Sequence, residues 1–146
     1  MNYSKGFTLI ELIVVIAIIA VLSGILLIST TIYISKGKDS NIAAYLVTFI
    51  PSGEVYYNSQ GSYTGFCSSS VVTNAISQMP ANSKGYCTTN TAGLCCYEKS
   101  DGNSWAVCVR KFTTPSSVYC VDSRGVKKDV TNVTSCSSIA TGFKCP

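Results

Sequence analysis

No charged residue occurs between Leu12 and Ile28, and the apolar character of this stretch runs back to Phe7 and on to Ile34. A run of that length exceeds the roughly 20 residues that a helix needs to cross the hydrocarbon of a bilayer. A cleaved secretory signal would have a shorter apolar core followed by a small-residue cleavage site, and Ser29, Thr30, Thr31, Ile32 and Tyr33 do not supply one. The segment is therefore expected to stay in the protein as an anchor. Lys5 precedes it while Lys36 and Lys38 follow it, so the positive charges alone do not orient it.

Cysteine placement does orient it. Cys67, Cys87, Cys95, Cys96, Cys108, Cys120, Cys136 and Cys145 all lie after the apolar run. An even number of cysteines in a small domain reads as disulfide stapling in an oxidising compartment, so the C-terminal part belongs outside the membrane. Zinc would require C-x-x-C pairs or histidine partners, and the chain has neither, so no metal is expected. The sequence does not choose among the pairings that eight cysteines allow.

Beyond the membrane segment, Ile42, Tyr45, Leu46, Phe49, Gly53 and Tyr56 recur at helical spacing. That pattern predicts that the anchor, residues 7–34, continues as an amphipathic stem helix over residues 35–60. Pro51, followed by Ser52 and Gly53, is expected to kink or locally break the stem, because proline removes a backbone donor and crowds the preceding turn. Residues 61–146 read as a Cys-rich globular head. Val72, Ala75, Ile76 and Met79 mark a short helix ended by Pro80. Leu94–Glu98, Ser104–Lys111 and Val118–Asp122 are β-prone, with turn sequences at 100–103 and 113–116, which predicts an antiparallel meander and an α+β fold. A turn at Asp101 and Gly102 would bring Cys95 or Cys96 opposite the neighbourhood of Cys108, where a bridge could form. As strand neighbours, Cys95 and Cys96 point to opposite faces and should take different partners.

The densest signal is Lys5-Gly6-Phe7-Thr8-Leu9-Ile10-Glu11, a basic residue and a glycine leading into an apolar run that carries one carboxylate. A charge in a membrane helix costs about 2.5–3.5 kcal/mol at the helix centre, less near its end, so Glu11 asks for a partner. A plainer reading is a first-turn acid favoured by the helix dipole. The motif closely resembles the class III signal of type IV pilins and of the pseudopilins of type II secretion. In that family a prepilin peptidase cuts after the glycine, here Gly6, and methylates the amine of the new first residue, here Phe7. Residues 1–6 would then be a leader peptide. Glu11 falls at the family's carboxylate position, where it is thought to neutralise the N-terminal amine of a neighbouring subunit, an arrangement that offsets the desolvation of both charges. The similarity extends to 53–63, where Tyr56 and Tyr57 run into Gly61-Ser62-Tyr63, and more faintly to Trp105–Val107 and Tyr119–Asp122. Pro51 and the eight cysteines depart from the family's commonest pattern.

The resemblance implies a long N-terminal helix packed on a small disulfide-rich antiparallel sheet, and a structural subunit of a type IV pilus or pseudopilus. The filament roles open to it are adhesion, motility, DNA uptake and type II protein secretion. It implies as partners other copies of the chain and related pilin subunits in a helical filament, the prepilin peptidase, an inner-membrane assembly platform and the membrane. The precursor would be a single-pass protein of the cytoplasmic membrane, and the assembled filament periplasmic or extracellular. The alternative is a monomeric single-pass protein with a disulfide-rich binding domain. An enzyme is not expected, since a thiol-disulfide catalyst would need C-x-x-C and no histidine is present to act as base. No catalytic residue and no cofactor are expected either.

Asp101, Asp122 and Asp129 are imaginable as calcium ligands, but they lack EF-hand-like spacing and read as turn chemistry. Arg110 with Lys111 and Lys127 with Lys128 read as solvated faces, and a net charge of +4, or +3 without Lys5, does not call for nucleic acid. Asn132-Val133-Thr134 fits a glycosylation sequon.

Overall fold

The computed structural model describes residues 6–80, 94–132, 139 and 142–146. The chain divides into two compact units, Met1–Ser35 and Lys36–Pro146. Helix α1 spans Leu9–Gln60, 52 residues. It is the one helix among the described residues long and apolar enough to cross a membrane, with a mean hydropathy of 3.1 over its most apolar window. Among the described side chains of the first unit the large apolar ones are exposed, from Val15 at 45% to Phe7 at 78%.

Pro51 lies inside α1 and does not interrupt it. Its ring is exposed, while Leu46 and Phe49 before it and Gly53 after it are buried and hold the helix on both sides. The Ser52 hydroxyl donates to the Thr48 carbonyl at 2.7 Å and the Thr48 hydroxyl donates to the Tyr45 carbonyl at 2.7 Å, so side chains of this turn bond back to its backbone. The expectation of a local break at Pro51 is therefore corrected. The helix ends at Gly61, whose φ of 72° suits a residue without Cβ and whose N–H donates to the Tyr57 carbonyl at 2.7 Å.

A single 3-10 turn at Phe66–Ser68 and helix α2, Ser70–Gln78, follow. Four strands complete the second unit: β1 Leu94–Glu98, β2 Trp105–Arg110, β3 Val118–Asp122 and β4 Lys127–Val130. They form one antiparallel sheet in the order β1-β2-β3-β4. The meander matches the sequence reading, with β2 one residue shorter at each end. Strand β4 was not legible: Lys127, Lys128 and Asp129 are exposed and show no apolar alternation, and pairing with β3 makes the strand. Lysines on such an edge discourage pairing with other chains.

Period-two alternation gives the sheet two separate cores. One face carries Leu94, Cys96, Trp105, Val107, Val109 and Val121, which pack with Ile42, Leu46 and Phe49 of α1 and with Phe66 and Val72. The other face carries Cys95, Cys108, Val118 and Cys120, which pack with Ile139 and Cys145. The first core holds an aromatic cluster in which the Phe66 ring stands 5.0 Å from Trp105 and 5.6 Å from Tyr56, with Tyr63 6.4 Å from both Phe66 and Trp105. Offset and edge-on contacts of this kind add to the area that the rings bury.

Candidate functional site

Helix α1 begins at Leu9, inside the motif that the sequence singles out. Thr8 precedes the helix and its carbonyl accepts the first helical bond, from Leu12 N–H at 3.3 Å. Glu11 Oε2 accepts from the Thr8 N–H and from the Thr8 hydroxyl, both at 2.8 Å, and the Glu11 N–H donates to Thr8 Oγ1 at 3.4 Å. This is a reciprocal capping box, and the spacing Thr8-x-x-Glu11 is its sequence signature. The sequence reading passed over it. In the single chain the Glu11 carboxylate is thus partnered by Thr8 at the positive end of the helix.

Gly6 and Phe7 lie ahead of α1, outside regular structure, and both are exposed. Among the described residues beyond its chain neighbours, no heavy atom lies within 4 Å of where a Cβ on Gly6 would stand. Backbone in this state can enter a protease groove without unwinding the helix. Lys5 lies outside the described residues.

Residues 1–27 match the family model described as the prokaryotic N-terminal methylation motif. A type IV wide pilus major component, PilA4 of Thermus thermophilus, is 35% identical over 82 residues, covering 56% of this chain and 62% of that protein. Both findings support the type IV pilin family. The chain spans less than two thirds of the length of that relative. No solved structure is a significant match. The second unit, a stem helix on a four-stranded antiparallel sheet with disulfides, is pilin-like.

The pilin-like head is stapled on both faces of its sheet. Cys67 and Cys96 are bonded on the helix side, with Cα atoms 5.7 Å apart, and Cys120 and Cys145 on the other side, 5.9 Å apart. Cys95 stands opposite Cys108 in the β1–β2 register, as the Asp101–Gly102 turn predicts, and each of the two is disulfide-bonded. Cys96 takes Cys67 as its partner, so the option of a Cys96–Cys108 bridge is corrected. Cys95 and Cys96 do face opposite cores. Cys87 and Cys136 lie outside the described residues, as do Val133 and Thr134 of the sequon.

Two carboxylates do more than the sequence suggested. Asp122 is fully buried and accepts from Arg124 Nε at 3.0 Å, from an Arg124 terminal nitrogen at 2.6 Å and from the Arg124, Val126 and Cys145 backbone N–H groups at 2.9, 3.3 and 2.8 Å. Arg124 also donates to the Cys145 carbonyl at 2.8 Å, so this pair holds residue 145 beside its own disulfide. Glu98 accepts from the Gly65 N–H at 2.8 Å and the Cys67 N–H at 3.1 Å, which fixes the loop carrying the other disulfide. The sequence reading assigned Asp122 to turn chemistry, and a turn is present: Gly125 N–H donates to the Asp122 carbonyl at 3.0 Å.

The other acids are dispersed. Asp101 accepts from Lys99 and from the Asn103 N–H, and those bonds, the Lys99 contact first, hold its carboxyl below the usual range. Asp129 pairs with Lys111 at 2.7 Å. Burial and the neighbouring Asp129 raise the Tyr119 phenol above its ordinary value. Among the described residues no three His, Cys, Asp or Glu side chains are grouped to hold a metal ion.

Proposed function

We propose that this chain is a prepilin, cut between Gly6 and Phe7, methylated at the Phe7 amine by a prepilin peptidase, and assembled as a structural subunit of a type IV pilus. The observation that carries the reading is the methylation motif over residues 1–27, set at the start of a helix whose most apolar window is not buried within the chain. Phe7 to Ile34 exchanges lipid for packing against the same segments of neighbouring subunits. On cleavage, Glu11 leaves or shares its Thr8 partners to meet the new amine of a neighbour, one opposite charge offsetting the desolvation of the other. The assembly platform of the inner membrane is the machinery such a subunit requires. Adhesion, motility, DNA uptake and, for a pseudopilus, protein secretion are the roles open to the filament.

The test is the intact mass, without reduction, of the protein purified from membranes of cells that express an active prepilin peptidase. A chain starting at N-methylated Phe7, lighter by the two hydrogens that each disulfide removes, supports the reading. An uncut chain, with the peptidase active on another substrate, sinks it.

The Thr8–Glu11 capping box favours a second reading, in which Glu11 simply starts the helix of a monomeric single-pass protein with a disulfide-rich binding head. Glu11→Ala separates the two. In a prepilin it abolishes or impairs filament assembly; in a plain anchor it leaves membrane insertion intact.

A further inference from the structure

The connection between β2 and β3 is clamped to the first turn of the stem. Asp39 accepts from the Phe112 N–H at 2.6 Å, from the Thr113 N–H at 3.1 Å and from the Thr113 hydroxyl. The Lys38 ammonium stands 4.9 Å from the centre of the Phe112 ring, a cation–π contact. Arg110 Nε donates to the Pro115 carbonyl at 2.8 Å and braces the turn from its other side, leaving Thr113 to Ser116 exposed.

Lys36 and Lys38 come directly after the apolar run in sequence. In a chain held by that run they stand at the level of the lipid headgroups, where cationic side chains are favoured. The Asp39 clamp holds Phe112 and the exposed turn beside Lys38. Lys36, Lys38, Arg110 and Lys111 outnumber Asp39 and Asp129, so this end of the head is net positive. Its two carboxylates are already engaged, Asp39 by the turn backbone and Asp129 by Lys111. The opposite end of β2, at Asp101–Asn103, has no comparable surplus: Lys99 and Asp101 cancel there.

We propose that Lys36, Lys38, Arg110 and the Phe112–Ser116 turn form a docking surface for the anionic phospholipid headgroups of the membrane that anchors the precursor. This rests on the membrane-anchored reading above and adds a state to it. Before assembly the head lies against the bilayer in one orientation, and the contact is electrostatic, so salt weakens it. Extraction of a subunit into a filament must break it.

The test uses the full chain in lipid nanodiscs of phosphatidylcholine alone or of phosphatidylcholine mixed with phosphatidylglycerol. A nitroxide is carried either on the lipid headgroup or deep in the acyl tail, and backbone amide NMR reads the line broadening. With the headgroup label, the Thr113, Thr114 and Ser116 amides broaden in the phosphatidylglycerol discs and recover in phosphatidylcholine discs or at high salt, while Asp101–Asn103 stay sharp throughout. Combining Lys36→Gln with Lys38→Gln and Arg110→Gln removes the broadening. Lys36→Gln alone, which leaves the Phe112 and Pro115 contacts in place, reduces it. Turn amides that stay sharp in both lipids, or broaden equally in both, overturn the docking surface provided the tail label broadens Ile16 to Leu22. If the tail label leaves Ile16 to Leu22 untouched, the anchored reading fails and the docking surface with it.

Discussion

Gly53 of the stem lies directly against the indole of Trp105: a Cβ at Gly53 would come within 2.8 Å of Nε1 and 3.0 Å of Cζ2. The indole cannot step aside, because Trp105 is fully buried between the helix and the rings of Phe66 and Tyr63. Gly53→Ala, usually a gain in a helix, should therefore destabilise the head by about 1–3 kcal/mol through overpacking. Urea unfolding followed by Trp105 fluorescence checks it; an unchanged or higher midpoint would contradict the contact.

Tyr63 donates to Glu54 Oε1 at 2.8 Å, and burial first, then this bond, pushes its phenol up to about 12. A folded pKa above the unfolded value of about 10 means that the native state keeps its proton while the unfolded chain releases one. The contribution of Tyr63 is thus complete below pH 10 and fades as pH rises toward 12. Tyr63→Phe should flatten the alkaline fall in stability across that window, measured by thermal melts at stepped pH. An identical pH profile for the variant would exclude Tyr63 as the group.

Removing the Asp122 carboxylate strands three backbone donors and leaves Arg124 without its ion-pair partner. Asp122→Ala should cost about 2–3 kcal/mol, with Arg124, half in solvent, recovering part of its hydration. Hydrogen exchange gives a sharper reading. Protection of the Cys145 and Val126 amides should fall by more than that of the β1–β2 ladder.

The two described disulfides differ in access at one sulfur. Cys67 is partly exposed although its partner Cys96 is only 6% exposed, whereas Cys120 and Cys145 are 0% and 3% exposed. Thiol exchange needs an approach to sulfur, so limited reductant should open Cys67–Cys96 before Cys120–Cys145. Differential alkylation with peptide mass mapping reads the order. The double change Cys120→Ser and Cys145→Ser, which frees a sequence separation of 25, should cost about 3–4 kcal/mol.

Much of this architecture is written in side-chain periodicity. The stem shows itself because Ile42, Leu46 and Phe49 repeat with the helical period, and β1 to β3 because short β-prone runs sit between strong turn sequences. Strand β4 escapes notice because an edge strand with both Lys127 and Lys128 exposed needs no apolar alternation; its partner β3 supplies the reason for it to be extended. The local break at Pro51 is absent because propensity is local, whereas the buried residues on either side of it are held by the core. At the N-terminus the motif residues are legible, and the spacing Thr8-x-x-Glu11 carries the helix-start signal for the partner of Glu11 as well, though the membrane cost of the charge is the louder feature. The roles of Asp122 and Glu98 could not be read, since each depends on which distant backbone amides the fold delivers.

The Asp39 clamp also decides where a pull would enter the head. Tension on the first turn of the stem would be passed by the bonds from Phe112 and Thr113 to the connection between β2 and β3. Those are the inner strands, each flanked by a neighbour on both sides. Load delivered there meets strands paired on both flanks, whereas among the described residues β1 and β4 are each paired on one flank. A pull along the stem would thus meet doubly paired strands before singly paired ones.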